Sequence, residues 1–176
     1  MKLLRLHKRE DLPTFETVLA DYQKPIYWHI RRMVVDHDDA ADVLQETFIK
    51  VYQGLSGLKD VASLRAWIYR IATNECLRFL SRRRETPLSQ VDGDEALQSR
   101  LMESDYVDYD DKMAVDFQRA LLTLSSQQRT VFNLRYYDEL SYEEIAKITG
   151  KNVNTLKTNY HFAVEKIKKV LKENVL

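Results

Sequence analysis

Apolar residues recur at steps of three and four along two long stretches of this chain, and the stretch between them carries no such stripe. A period of about 3.6 residues can bury one face only as a helix, so this pattern limits the fold more than any other feature. In DDAADVLQETFIKVYQGL, the residues Val43, Leu44, Thr47, Phe48, Val51 and Leu55 share one side. In SLRAWIYRIATNECLRFLSRRR, Leu64, Trp67, Ile68, Ile71, Leu77 and Leu80 do the same. The intervening LSGLKD, containing Gly57 and preceded by Gly54, reads as a loop. Only 4 Gly and 3 Pro occur in 176 residues, which argues against a sandwich of short strands, and 44% hydrophobic residues suffice for packed cores. The length fits one medium domain or two small ones.

The middle stretch decides between those two. From Ser89 to Asp111, eight acids oppose one base, a local charge of −7. Such a segment reads as an extended acidic linker, with room for a short helix around Ala96 to Met102. The expected organisation is all-α: a helical domain over 1–85, an acidic linker over 86–111 and a second helical domain over 112–176. No internal repeat of roughly 20–50 residues is present.

The C-terminal part carries the clearest local signals. Ser125/Gln128 and Ser141/Glu144 have capping-box spacing, in which a hydroxyl accepts a free backbone N–H and the residue three later reaches back. Gly150 sits where a helix would stop, and Asn152 where the next would be capped. On that last helix Val153, Leu156, Tyr160, Ala163, Val164 and Ile167 share a face, and Asn154, Thr158, His161 and Glu165 lie opposite. Ile145, Ala146 and Ile148 give the preceding helix its apolar side. Two helices joined by a short glycine turn, the second with a polar front, fit a helix-turn-helix. An ordinary helical hairpin with a solvated face has the same periodicity. Lys166, Lys168, Lys169 and Lys172 add positive charge, but they also complement a helix C-terminus.

Two further clusters bear on function. Asp38, Asp39, Asp42, Gln45 and Glu46 make one side of an amphipathic helix acidic, which is either a binding surface or a solvated face. Ala40 and Ala41 stand where a calcium loop would need its next ligand and its glycine. Arg65, Arg70, Arg78, Arg82, Arg83 and Arg84, interleaved with Trp67, Tyr69 and Phe79, have the composition of a surface for single-stranded nucleic acid, although Trp67 and Phe79 are at core spacing. Lys+Arg and Asp+Glu both number 27, so only this local clustering, not net charge, points to nucleic acid. Histidines 7, 29, 37 and 161 are scattered, Cys76 has no second thiol, and no glycine-rich phosphate loop or nucleophile elbow occurs. The expectation is no catalysis, no metal and no cofactor. The lone cysteine fits a reducing cytosol, and no run approaches the roughly 18 apolar residues of a membrane span, so a cytoplasmic protein without membrane insertion is expected.

In this order and spacing the segments resemble the extracytoplasmic-function sigma factors of bacterial RNA polymerase. DAADVLQETFIKVY is similar to the region 2 helix of that family that meets the polymerase clamp. LRAWIYRIATNECLRFLSRRR looks like the segment that follows it. LLTLSSQQRTVFNLRYYDELSYEEIAKITGKNVNTLKTNYHFAVEKIKK resembles region 4. The resemblance spans most of the chain outside the first ~12 residues and the linker.

The resemblance implies a set of roles. Asp42, Gln45 and Glu46 would face the polymerase clamp. The loop from Leu55 to Ser63 and the helix through Asn74 would hold melted bases of the minus-ten element, with Arg78, Arg82 and Arg83 near phosphate. Asn154, Thr155, Lys157, Thr158 and His161 would enter the major groove of the minus-thirty-five element. Core RNA polymerase and promoter DNA would be the partners, together with an anti-sigma factor, in this family often membrane-bound. The linker would run in the basic RNA-exit path of the polymerase. The chain departs from the family pattern at Leu64 (usually Phe), at Asn159 (usually Arg), and at Phe162 and Val164 (often basic), so its recognition helix carries less positive charge. Two other classes stay open on the residues alone: a dimeric helix-turn-helix repressor or activator with a helical sensor domain, and a protein-binding helical adaptor.

Overall fold

The computed structural model describes residues 12–85 and 112–173; the expected linker and its short helix lie outside them. Regular structure among the described residues is entirely helical. In chain order the helices are α1 (Phe15–Val34), α2 (His37–Gly54), α3 (Leu64–Glu85), α4 (Lys112–Leu122), α5 (Ser126–Tyr136), α6 (Tyr142–Thr149) and α7 (Val153–Glu173).

Helix α1 begins at Thr14, whose hydroxyl accepts the Thr17 N–H, and buries Val18, Ile26, Ile30, Met33 and Val34. It contains Pro25, which removes one helical hydrogen bond, and the adjoining buried run Ile26, Ile30 and Met33 offsets that loss. The chain then reverses within two residues. Val35 has φ 73° and ψ −42°, and the Asp36 N–H donates to the Val34 carbonyl at 2.9 Å. This is a γ-turn of the positive-φ kind, strained for a β-branched residue, and it persists because the Val35 side chain is buried. Its result is that Asp36 caps α2 at once, accepting the Asp38 and Asp39 N–H groups at 2.9 and 3.0 Å.

Helix α2 buries Val43, Thr47, Phe48 and Val51, followed by Leu55, with Leu44 half-buried, as its periodicity requires. It stops at Gly54, where a Cβ would lie 2.8 Å from Cζ2 of Trp67, so only glycine lets the Trp67 ring close over the turn. The expected loop consists of two 3₁₀ turns, Leu55–Gly57 and Val61–Ser63, the second capped by Asp60 accepting the Ala62 N–H.

The C-terminal helices start and stop where their signals stand. Both capping boxes form, at Ser125/Gln128 and Ser141/Glu144, and Gly150 ends α6 at φ 70°. Helices α4, α5 and α7 enclose Ala120, Leu121, Leu124, Phe132, Ala163 and Ile167. The rings of Phe132 and Tyr160 stack at 5.8 Å and fix α7 against α5.

One core extends across both halves. Val131, Leu134, Leu140, Ile145, Ile148 and Leu156 join the cluster formed by α1, α2 and α3. Helix α6 packs on α3, and α5 on α1. Packed on α1 and α2 as well as on α6, α3 buries a second line of residues, Tyr69, Ala72, Thr73 and Cys76, outside the stripe read from its sequence. Burial, and then the adjacent Glu75 carboxylate, push the Cys76 thiol up, so it stays protonated and unreactive.

The α6 cap gives a pH test. The Ser141 backbone N–H donates to Glu144 at 2.8 Å and holds that carboxyl below the usual range. A depressed folded pKa contributes stability above the unfolded value, near pH 4.3, that is lost as pH falls through the folded one. Glu144→Gln keeps the reach-back but cannot titrate. Urea unfolding at pH 6 and pH 3 should show wild type losing more stability on acidification than the variant.

Candidate functional site

Three surfaces carry the residues singled out from the sequence. On α2, Asp42, Gln45 and Glu46 are all exposed, on the side opposite Val43, Thr47 and Val51. Ile49 and Tyr52 continue the line of Asp42 and Gln45 at helical spacing and remain 43% and 68% exposed. The Tyr52 ring is held edge-on by Phe15 at 5.2 Å. An acidic rim beside an exposed, oriented tyrosine has the make-up of a protein-binding face. Ile49 and Tyr52 lie off the buried stripe read from the sequence, and their 42/45/49/52 spacing was the available signal that they share the acidic side.

On α3, Arg70, Asn74, Arg78 and Arg82 follow at four-residue steps and are all exposed. The basic run is less free than its sequence suggests. Glu75 is buried and accepts both Lys50 and Arg78, the latter at 2.7 Å. Arg83 pairs with Asp39 on α2 at 2.7 Å and lies over the Phe79 ring. Trp67 and Phe79 are half-buried against the core, the role their spacing predicts.

On α7, Asn152 sets the start of the helix, its Oδ1 accepting the Thr155 N–H at 2.8 Å. Leu156, Ala163 and Ile167 anchor the back. Asn154, Thr155, Lys157, Thr158 and His161 are all exposed on the front. Asn152, Val153, Asn154, Thr155, Thr158 and Asn159 line an open hollow of about 530 Å³. Lys157 Nζ stands 5.8 Å from the centre of the Tyr142 ring, to one side of that front. Phe162, at 56% exposure, is tilted against His161. Short polar side chains on a capped helix with a fixed back can reach base edges.

Comparison with known proteins shows the family. Residues 18–86 match the family model for sigma-70 region 2, and residues 114–167 match that for sigma-70, region 4. The RNA polymerase sigma-H factor of Pseudomonas aeruginosa is 31% identical, over 97% of this chain and 92% of that protein. The chain belongs to the extracytoplasmic-function sigma factors. The relative SigW of Bacillus subtilis, an ECF RNA polymerase sigma factor, is 29% identical over 98% of this chain and 96% of its own length. Among solved structures, the sigma factor RpoE in complex with the anti-sigma factor NepR from Bartonella quintana aligns with a TM-score of 0.69 at 25% identity, covering 90% of this chain and 96% of that one. The family's role, directing polymerase to specific promoters to initiate transcription, is the role of this sigma factor.

The sigma factor also holds a polar cluster between its halves that the sequence did not reveal. Asp138, just after α5, is buried, and His29 on α1 is fully enclosed. His29 Nδ1 donates to Asp138 Oδ2 at 2.9 Å, and its Nε2 meets the Thr73 hydroxyl of α3 at 3.1 Å. A carboxylate only accepts, so Nδ1 carries a proton, and Nε2 shares a hydrogen bond with the Thr73 hydroxyl. Arg32 donates to Asp138 Oδ1 at 2.6 Å and lies over the Tyr137 ring at 4.6 Å. Arg65 donates to the Asp138 backbone carbonyl at 2.9 Å. Burial first, then the Asp138 charge, push the neighbouring Tyr69 hydroxyl up to about 12. With partners at positions 29, 32, 65, 73 and 138, no local spacing could have signalled this cluster.

Among the described residues no helix is long and apolar enough to cross a membrane, and no group of three or more His, Cys, Asp or Glu is placed to hold a metal ion. The recognition helix depends on its cap. Asn152→Ala should cost about 1 kcal/mol of stability, and hydrogen exchange should show the loss concentrated in the first turn of α7, at Thr155 and its neighbours.

Proposed function

We propose that this sigma factor works through three surfaces on two helical units, residues 1–85 and 112–176, joined by the acidic segment 86–111. The limits of the two family matches, at 86 and 114, support that division. The α2 surface of Asp42, Gln45 and Glu46, extended by Ile49 and Tyr52, binds the clamp of core RNA polymerase. On α3, Asn74 takes up melted bases of the minus-ten element, with Arg78, Arg82 and Arg83 near phosphate. On α7, Asn154, Thr155, Thr158 and His161 read the major groove of the minus-thirty-five element, and Lys157, at the flank, meets phosphate. The observation that carries this reading is the exposed polar front of α7 on a capped helix whose apolar back is fixed.

The ion pairs of Arg78 with Glu75 and Arg83 with Asp39 reduce the positive charge the free protein offers to DNA, so tight promoter binding depends on polymerase. An anti-sigma factor controls the protein, by analogy with the Bartonella sigma factor solved with NepR. The protein acts in the cytoplasm and performs no chemical step itself. Runoff transcription on genomic fragments, with core polymerase and with or without this protein, tests the reading. Transcripts that appear only with both present are expected; duplex DNA binding by the protein alone, without transcripts, would favour a free-standing repressor.

Two variant sets test the surfaces. Asp42→Arg with Glu46→Arg should abolish capture of core polymerase while changing unfolding free energy by less than about 0.5 kcal/mol per site, since both residues are exposed. Unchanged capture would remove them from the interface. On α7, Asn154→Ala should change preference at one promoter position, by about 1–3 kcal/mol. Lys157→Ala should weaken all sequences alike and reduce the salt slope by about 0.9. Binding-site selection followed by a salt titration separates the two outcomes.

A further inference from the structure

Phe162 places a phenyl ring in the middle of a polar surface. It is 56% exposed and belongs to neither apolar core. Its surface neighbours on α7 at steps of three and four, Thr158, Asn159, Glu165 and Lys166, are all polar. Among the described residues its one ring contact is His161, 5.7 Å away and tilted by 58°. The charges nearest the ring are engaged elsewhere: Glu165 pairs with Lys168 at 2.9 Å, and the Lys166 ammonium donates to the Thr123 carbonyl. Phenylalanine is also a poorer helix former than Lys, Arg or Gln, which an exposed helical position would otherwise favour. Among the described residues, then, nothing in the fold requires a phenyl group here.

The place of the ring says what it meets. Asn154, Thr158 and Phe162 follow one another at four-residue steps and are all exposed, so the ring continues the line of two residues assigned to base reading. At 3.6 residues per turn it stands on the flank of that front opposite Lys157, the residue assigned to phosphate. We infer that Phe162 determines specificity by packing on the C5-methyl group of a thymine in the minus-thirty-five element. The inference rests on the reading of α7 as the helix that enters the major groove.

The chemistry singles out thymine. Its methyl is the one apolar substituent that a base presents to the major groove, where purines present the N7 acceptor and cytosine an amino group. A phenyl ring carries no charge for a phosphate and no donor or acceptor for a purine edge. Against a purine it would cover N7 without replacing that atom's bond to water, which costs roughly tenfold in affinity. Against cytosine the methyl is missing, and one buried methyl is worth about fourfold. A protein-docking face needs a contiguous apolar core. This ring is isolated among polar neighbours, which matches a single methyl group rather than a protein partner.

The test uses holoenzyme, core polymerase with the full chain, on a promoter recovered by binding-site selection with wild type. Each thymine of its minus-thirty-five element is replaced in turn by deoxyuridine, which removes the methyl group and nothing else. One replacement should weaken wild-type binding about fourfold, at a base pair other than the one whose preference Asn154→Ala changes. Phe162→Ala should bind the thymine promoter about fourfold more weakly than wild type. It should be indifferent to that replacement and should lose thymine preference at that pair alone. Phe162→Leu, which keeps an apolar side chain, should retain the preference. Circular dichroism should be unchanged in both variants, since the ring packs in neither core. If no replacement weakens wild-type binding, or if Phe162→Ala responds as wild type does, the inference fails, while sequence selection by wild type still upholds the reading of α7. A Phe162→Ala variant that selects unchanged promoters but loses affinity for an anti-sigma factor would overturn the inference and assign the ring to a protein partner. If wild type selects no minus-thirty-five sequence at all, the reading of α7 falls and this inference with it.

Discussion

Asp138 is the residue on which the packing of the two halves turns. Its two carboxylate oxygens and its backbone carbonyl each receive a donor from the other half of the molecule: His29, Arg32 and Arg65. A buried carboxylate without partners would cost several kcal/mol, so α5 can approach α1 and α3 only in the one register that supplies all three donors. The Coulomb gain of such a cluster is largely cancelled by desolvation. The stabilisation of the contact then comes from the apolar residues around it, Leu134, Leu140, Ile145 and Ile148, all nearly inaccessible. Apolar burial makes the contact favourable, and the polar cluster makes it specific.

The same division of labour recurs in the two halves. The tight reversal at Val35 is strained, yet it brings Asp36 into capping position and sets the angle at which α2 leaves α1. Gly54 lets Trp67 close over the end of α2. Together these fix the exposed side of α2, from which Asp42, Gln45, Ile49 and Tyr52 project in a line. In the other half, Gly150 and Asn152 fix the turn between α6 and α7, and the Phe132–Tyr160 stack holds α7 in place. The front of α7 is thus oriented by residues that lie outside it.

Much of this was legible in the residues. The stripes of α2 and α7, both capping boxes, the Gly150 stop and the Asn152 cap are local signals, each requiring partners no more than four residues away, and each is present as read. The exposed residues of all three surfaces were legible for the same reason, since they lie opposite stripes that must be buried. What could not be read was any contact made at long range. Helix α3 shows this best: its sequence accounts for one buried side, while Tyr69, Ala72, Thr73 and Cys76 are buried as well, Tyr69 and Thr73 against His29 of α1, on a helix that packs on α1, α2 and α6.

The sequence by itself determined the stripes of α2 and α7, the helix ends marked by the two capping boxes, Gly150 and Asn152, the polar front of α7 and the acidic side of α2, because helix geometry relates residues three and four apart wherever they occur. Tertiary structure alone decided which charges are free. Arg78 and Arg83 read as open cations until Glu75 and Asp39 are seen beside them, and His29 and Asp138 read as unrelated until α5 meets α1. The physical reason is that electrostatic pairing depends on distance in space, and a partner 109 residues away leaves no periodic trace in the chain.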